Sequence, residues 1–434
     1  MAVPDPPPIA EAERHPSGLY SPGQRRIFLL VLFLVSMSNY VDKNVISVVL
    51  EPIKREFHAS DTQLGLLSGL SFALFYATLG IPVARWADRG DRKLIMGLGL
   101  AVWSAMTVLC GAASSFWQLA LARIGVGAGE AGGIPPGQSL LVDYYPVQRR
   151  AWALAVFSSS TVAAYGLGTI GGGWIAQAFG WRMAFWAAGL PGLLLLLAVV
   201  FILREPRRMP GFAVASADRE TLLAAWKALS RKRAYVNILI GHIFYFVVSY
   251  GALIFAASFM VRCHGLSLAQ AGGFIGVISA GAAIVGNLAG GLLADRLGRR
   301  SAAWYCWLPA GSMLLAWPLG EATFLMPTLI GTAACLFLTT VLLSSSAAQI
   351  FTAMHTVCGS KRRSTALAIL LFTGNLFGLG LGPILTGRIS DALAGHVGSA
   401  DGLRFAIMIM LCACAPLAFF LFRAARQMPF DVET

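Results

Sequence analysis

Two carboxylates and two cations stand where charge is costly. Asp42 and Lys43 interrupt the apolar run 27–50, within SNYVDKNV, and Arg123 and Glu130 lie inside a second run, FWQLALARIGVGAGEAGG. At the centre of a membrane-spanning helix each charge costs about 2.5–3.5 kcal/mol on insertion scales, so four retained charges point to a site. A carboxylate can take and release a proton, and Lys or Arg can hold an anion. The four charges sum to zero. Protonating Asp42 or Glu130 leaves a cation uncompensated, and an anionic headgroup could supply the missing charge, so proton and ligand would move in a coupled way. Asp42 lies eight residues before the end of its run, and Arg123 lies seven from the start of its own, antiparallel one. At 1.5 Å per residue the two are level, which allows an ion pair. Glu130, two turns beyond Arg123, is on the same face about 10 Å deeper, with no obvious level partner. Lys43 shares a stripe with Ser36, Tyr40 and Ser47. A static network that only fixes helix packing remains the alternative for the same residues.

The elements that must position these groups follow from composition. The 434 residues are 57% hydrophobic and 12% charged, with mean hydropathy +0.70. Soluble chains average about 25% charged residues, so this is an integral membrane protein. Apolar windows long enough to cross a bilayer recur near 27–50, 62–86, 94–112, 116–138, 152–175, 183–203, 235–261, 268–293, 302–319, 324–353, 365–387 and 403–423. The pattern predicts an all-α fold of twelve transmembrane helices. Most of the 33 Lys and Arg residues fall in loops on the side holding both termini, which predicts cytoplasmic termini. The net charge of +13 therefore reports topology and not nucleic-acid binding. The seven cysteines include no C-x-x-C pair, and they read as buried thiols more readily than as a metal or redox site. No strand-bound phosphate loop, G-x-S-x-G elbow or H-E-x-x-H motif occurs, so neither an enzyme nor a resident cofactor is expected. The G-V-G-A-G of the fourth window reads as close helix packing.

The chain also repeats itself. GIPVARWADRGDRKLIM after the second window matches GGLLADRLGRRSAAW after the eighth, pairing Asp88 with Asp295 and Arg92 with Arg299 at an offset of 207 residues. GLGTIGGGWIAQAFGWR in the fifth window is echoed by GNLFGLGLGPILTGRISD in the eleventh. Six helices are followed by six related ones. The division expected is a disordered cytoplasmic tail over 1–24, a bundle over 25–203, a linker over 204–233, a second bundle over 234–424 and a cytoplasmic tail over 425–434. Within the linker, Leu222, Leu223, Trp226 and Leu229 share a face, predicting an amphipathic helix at the membrane boundary. The second half carries no charge well inside its windows. Its polar groups are His242, Gln349, Asn287 and Asn375, beside Tyr245 and Tyr250. A charged wall facing an aromatic one suits an amphipath. His242 reads more readily as a hydrogen-bonded helix residue than as a proton carrier, and the two tyrosines fit lining or packing equally.

The D-R-x-x-R-K loops, the L-A-R-I-G-V-G-A-G-E run and the Gly-rich fifth and eleventh windows resemble the major facilitator superfamily over essentially the whole chain. Asp91 stands where the superfamily loop usually has a second Gly; Gly298 keeps it in the second copy. The resemblance implies two pseudo-symmetric six-helix bundles, a monomer, and gating roles for Asp88, Arg92, Asp295 and Arg299. Y-V-D-K and G-x-G-E-A, with A-L-F-Y, W-S-A-M-T and D-Y-Y-P-x-x-R-R, are similar to the spinster-like group. That implies an amphipathic lipid substrate, such as a lysophospholipid or sphingoid lipid, and proton coupling at Asp42 and Glu130. Lys43 replaces the group's usual Arg, exchanging a bidentate fork for a point charge. The residues and the resemblance together predict a proton-coupled transporter of an amphipathic lipid or organic anion in a bacterial-type inner membrane. Asp42 and Glu130 would carry the proton, and Lys43 and Arg123, with Tyr40, Tyr245, Tyr250, Gln349 and Asn375, would bind substrate. Organic-acid symport, drug export and a non-transporting receptor are the alternatives.

Overall fold

The computed structural model describes residues 20–208 and 222–431; the first nineteen residues of the expected tail and the linker over 209–221 lie outside them. No strand occurs among the described residues. Twelve helical segments run back and forth: α1 (Pro22–Phe57), α2 (61–89), α3 (Arg92–Ala112), α4 (116–144), α5 (Val147–Phe179), α6 (Trp181–Phe201), α7 (Arg233–His264), α8 (Leu268–Gly298), α9 (Trp304–Leu325), α10 (Leu329–Gly359), α11 (Thr365–Val397) and α12 (Ser399–Asp431). The first six pack as one bundle and the last six as another. Ten helices among the described residues are long and apolar enough to cross a membrane. α4 is not among them because it breaks after Glu130, and its two pieces have 15 and 11 residues.

Local sequence sets the helix starts. Ser21, Ser60 and Ser267 each accept a bond from the main chain three residues on, and Gln24, Gln63 and Gln270 return one, so one S-x-x-Q pattern opens α1, α2 and α8. Asp91 caps α3 by accepting from Leu94 N–H at 2.8 Å, and it also meets Arg208 at 2.5 Å. The residue that departs from the family loop thus has two local partners. α12 continues to Asp431, whose carboxylate accepts from Ala234 N–H at 2.6 Å.

Four widened π turns interrupt the helices, at Leu66–Leu70, Leu167–Gly171, Val247–Ala252 and Gly374–Leu381. Those of α5 and α11 begin 207 residues apart, the offset of the repeated loop. Such turns gather at functional sites, and here those of α2, α5 and α11 lie where the two bundles meet. The seams there are close: a Cβ on Gly69 of α2 would come within 2.7 Å of the Leu379 and Gly380 carbonyls of α11. Small residues let the main chains approach this far.

The linker helix Leu222–Leu229 docks on α10. Ala225 and Leu229 are its buried residues, whereas Trp226 is 41% exposed. Of the expected apolar face, Leu229 is covered by protein and Trp226 is turned outward. The side chains of Leu222 and Leu223 lie outside the described residues.

Candidate functional site

The four charges meet at the centre of the first bundle. Arg123 Nη1 of α4 donates to Asp42 Oδ2 of α1 at 3.0 Å, the pairing that helix counting allowed. Asp42 and Arg123 are each 1% exposed and Glu130 is fully buried. Glu130 does have a partner: Lys43 Nζ is 2.6 Å from its Oε2. Depth counting missed this pair because it compared Cα levels. Side chains on a helix tilt towards its N-terminus, and Lys43 leans back one turn, donating to Asn39 Oδ1 at 2.9 Å. Its flexible stem closes the gap to a deeper carboxylate.

The fourth helix holds its two charges by packing its glycines against main chain. A Cβ on Gly127 would collide with the backbone of Phe72 in α2, so close packing accounts for G-V-G-A-G. That approach brings Phe72 beside both cations: its ring centre lies 5.5 Å from Arg123 Cζ and 5.3 Å from Lys43 Nζ. Ser36, placed on the Lys43 stripe, instead accepts from Ser160 of α5 at 2.7 Å. Asp42 Oδ1 and Glu130 Oε1 are buried without a hydrogen-bond partner among the described residues. A buried carboxylate oxygen with no donor is costly.

The second bundle supplies the aromatic wall. His242 lies against Phe246 at 4.6 Å with the rings tilted by 44°, and near Tyr245 and Phe351; it is 1% exposed. Tyr250 is 38% exposed, within electrostatic reach of Lys43, Tyr40 and Tyr76, so the charged and aromatic walls face one another. Tyr245 donates to the Leu343 carbonyl at 3.3 Å. Gln349 is committed elsewhere, its Nε2 donating to the Gly290 carbonyl of α8 at 3.0 Å. Asn375 donates to the Leu371 carbonyl within α11 at 2.8 Å.

The two ends of the molecule differ. At the end away from the termini, charge joins the bundles. Arg262 of α7 takes Asp61 of α2 in a fork, at 2.7 and 2.8 Å, and Glu51 of α1 at 2.8 Å. Lys54 and Ser390 also reach Asp61. In return Asp391 of α11 accepts from the N–H groups of Asp61 and Thr62 at 2.9 and 2.8 Å, a carboxylate seated on the α2 N-terminus. Sequence reading overlooked this lock because its members fall just beyond the apolar windows, and the bonds join residues 201 to 330 apart.

At the terminus-bearing end the ion pairs stay inside the first bundle. Arg92 binds Glu205 and Asp143, each at 2.6 Å, and Glu205 also accepts from Arg92 N–H at 2.7 Å. Its repeat counterpart Arg299 and the nearby Asp295 are exposed and make no ion pair among the described residues. Asp88 sits in the last turn of α2, with its side chain outside the described residues.

Comparison with known proteins agrees with this architecture. A sequence profile described as Major Facilitator Superfamily matches residues 32–383. An MFS-type efflux pump of Mycolicibacterium smegmatis is 33% identical over 93% of this chain and 91% of its own length. Protein spinster homolog 1 of Xenopus tropicalis is 27% identical over 84% of this chain and 73% of its own. The crystal structure of a bacterial homolog to the human lysosomal transporter spinster, inward-facing and unoccupied, superposes with a TM-score of 0.87 at 31% identity, covering 96% of this chain and all of that one. This chain belongs to the major facilitator superfamily, as a spinster-like membrane transporter.

Proposed function

We propose that this transporter couples protons to the movement of an amphipathic, lipid-like anion by alternating access. The observation that carries the reading is the pair of buried carboxylate–cation contacts, Asp42–Arg123 and Lys43–Glu130, confined to one bundle and facing aromatic Tyr250 of the other. The sign of the coupling follows from charge. Protonating Glu130 turns a neutral cluster into one of +1 and frees Lys43 for an anionic headgroup, while the apolar tail lies along Tyr245 and Tyr250. Loss of the proton restores the ion pair and expels the anion. Anion affinity therefore rises as pH falls. Closure of the end away from the termini leaves the site to be reached from the terminus-bearing end, which the excess of basic loops makes the cytoplasmic one. The relatives named spinster and the bacterial homolog to a lysosomal transporter support a transport role, and the amphipathic cargo rests on the charged wall facing the aromatic one.

The test is counterflow of labelled lysophospholipid in proteoliposomes, compared with labelled small organic acids. Glu130→Gln and Asp42→Asn are expected to abolish accumulation driven by a pH gradient. Gradient-driven uptake that survives both substitutions would remove proton coupling, and tight lipid binding with no flux at any pH would make the protein a receptor. The second reading is drug export, favoured by the mycobacterial efflux pump that matches over nearly the full chain. Flux of cationic dyes in the absence of lysolipid counterflow would establish it.

A further inference from the structure

The Lys43 ammonium lies among more aromatic surface than an ion pair requires. Its Nζ is 4.8 Å from the ring centre of Tyr40, 4.8 Å from Tyr76 and 5.3 Å from Phe72. A cation within about 6 Å of a ring face is attracted by the ring quadrupole, more strongly where water is excluded. Tyr40 stands on α1 near Lys43 itself. Phe72 and Tyr76 stand one turn apart on α2, stacked at 5.3 Å with their planes 20° apart. α2 contributes no charge to the site, yet the widened turn Leu66–Leu70 ends two residues before Phe72 on the helix that carries both rings.

We propose that Tyr40, Phe72 and Tyr76 form an aromatic collar that positions the Lys43 ammonium on Glu130. The collar thereby governs how readily that pair opens to a proton, a consequence that rests on Glu130 being the proton carrier. The other charged and titratable groups facing the pair are Asp42 on α1, Arg123 on α4 and Tyr250 on α7, with Asn39 accepting from Lys43. Among the described residues, the two rings are what restrains the Lys43 stem from the α2 side.

Two readouts on the full-length protein test this. Reductive methylation of Lys43 by formaldehyde with a cyanoborohydride reductant, followed by peptide mass spectrometry, reports how firmly the ammonium is held. Tyr76→Leu and Tyr40→Leu are expected to raise its rate several-fold, and Tyr76→Phe is expected to keep the wild-type rate. Both tyrosines are only partly buried, so the truncations carve no sealed core. A loosened ammonium compensates Glu130 less well, so the pH of half-maximal flux should move upward by about half to one unit in the leucine variants. Methylation unchanged in both leucine variants overturns the collar. Wild-type flux indifferent to pH would overturn the proton reading of Glu130, while methylation would still decide the collar.

Discussion

The central charges and the charges of the lock make opposite use of the same residue types. At the centre, all four members of the two ion pairs belong to α1 and α4 of one bundle. At the end away from the termini, Arg262 and Asp391 of one bundle hold Glu51, Asp61 and Thr62 of the other. A bundle that rocks as a body carries the first set with it unbroken, so those charges are free to be loaded and unloaded. The second set must break whenever that end opens. On the proposed mechanism, ion pairs inside a rigid unit serve as the site and those between units as the lock.

Substitutions sharpen this contrast in order of expected effect. Arg123→Ala leaves Asp42 charged, buried and unpaired, and removing one partner of such a pair costs about 3–5 kcal/mol. The midpoint of thermal unfolding in detergent should fall sharply, and Asp42→Asn in the same chain should restore part of it. A double variant no more stable than the single one would deny that the two residues form a unit. Arg262→Ala removes charge-assisted bonds worth about 1.5–3 kcal/mol each from the locked state alone. It should speed thiol labelling of the native Cys263, which sits next to Arg262 with its Sγ 3.6 Å from the Ala400 carbonyl. Labelling at the wild-type rate would mean that the lock does not hold the bundles closed.

The smallest effects separate the two copies of the repeated loop. Arg92→Gln strips Glu205 and Asp143 of their cation and should lower thermal stability without changing Cys263 labelling, since its partners lie within one bundle. Arg299→Gln, at an exposed position with no ion pair among the described residues, should stay within about 0.5 kcal/mol of wild type. Equal costs at the two positions would show that the copies are equivalent despite their different surroundings.

Much of this was legible beforehand. Long apolar windows must become helices in a bilayer, because hydrocarbon offers the main chain no hydrogen-bond partners. The duplicated loop at one constant offset gave the two-bundle plan, and the two widened turns of α5 and α11 reproduce that offset. Helix counting brought Asp42 level with Arg123, and the long guanidinium arm spans the remaining gap to the short carboxylate. The same method failed for Glu130, where a flexible lysine reaches one turn along its own helix. It also could not nominate Phe72 and Tyr76, since nothing in L-S-G-L-S-F-A-L-F-Y distinguishes rings facing an ammonium from rings facing lipid.

Sequence alone determined the class of solvent, the number of helices, their internal repetition and the presence of charge in a dry place. Each of these depends on residue type and on spacing along one chain. The pairing of Lys43 with Glu130, the collar around it and the lock from Asp61 to Arg262 and Asp391 depend on how helices rotate and tilt against one another. Those rotations are set by where glycines admit a neighbouring backbone, and that is decided only when all the helices pack together.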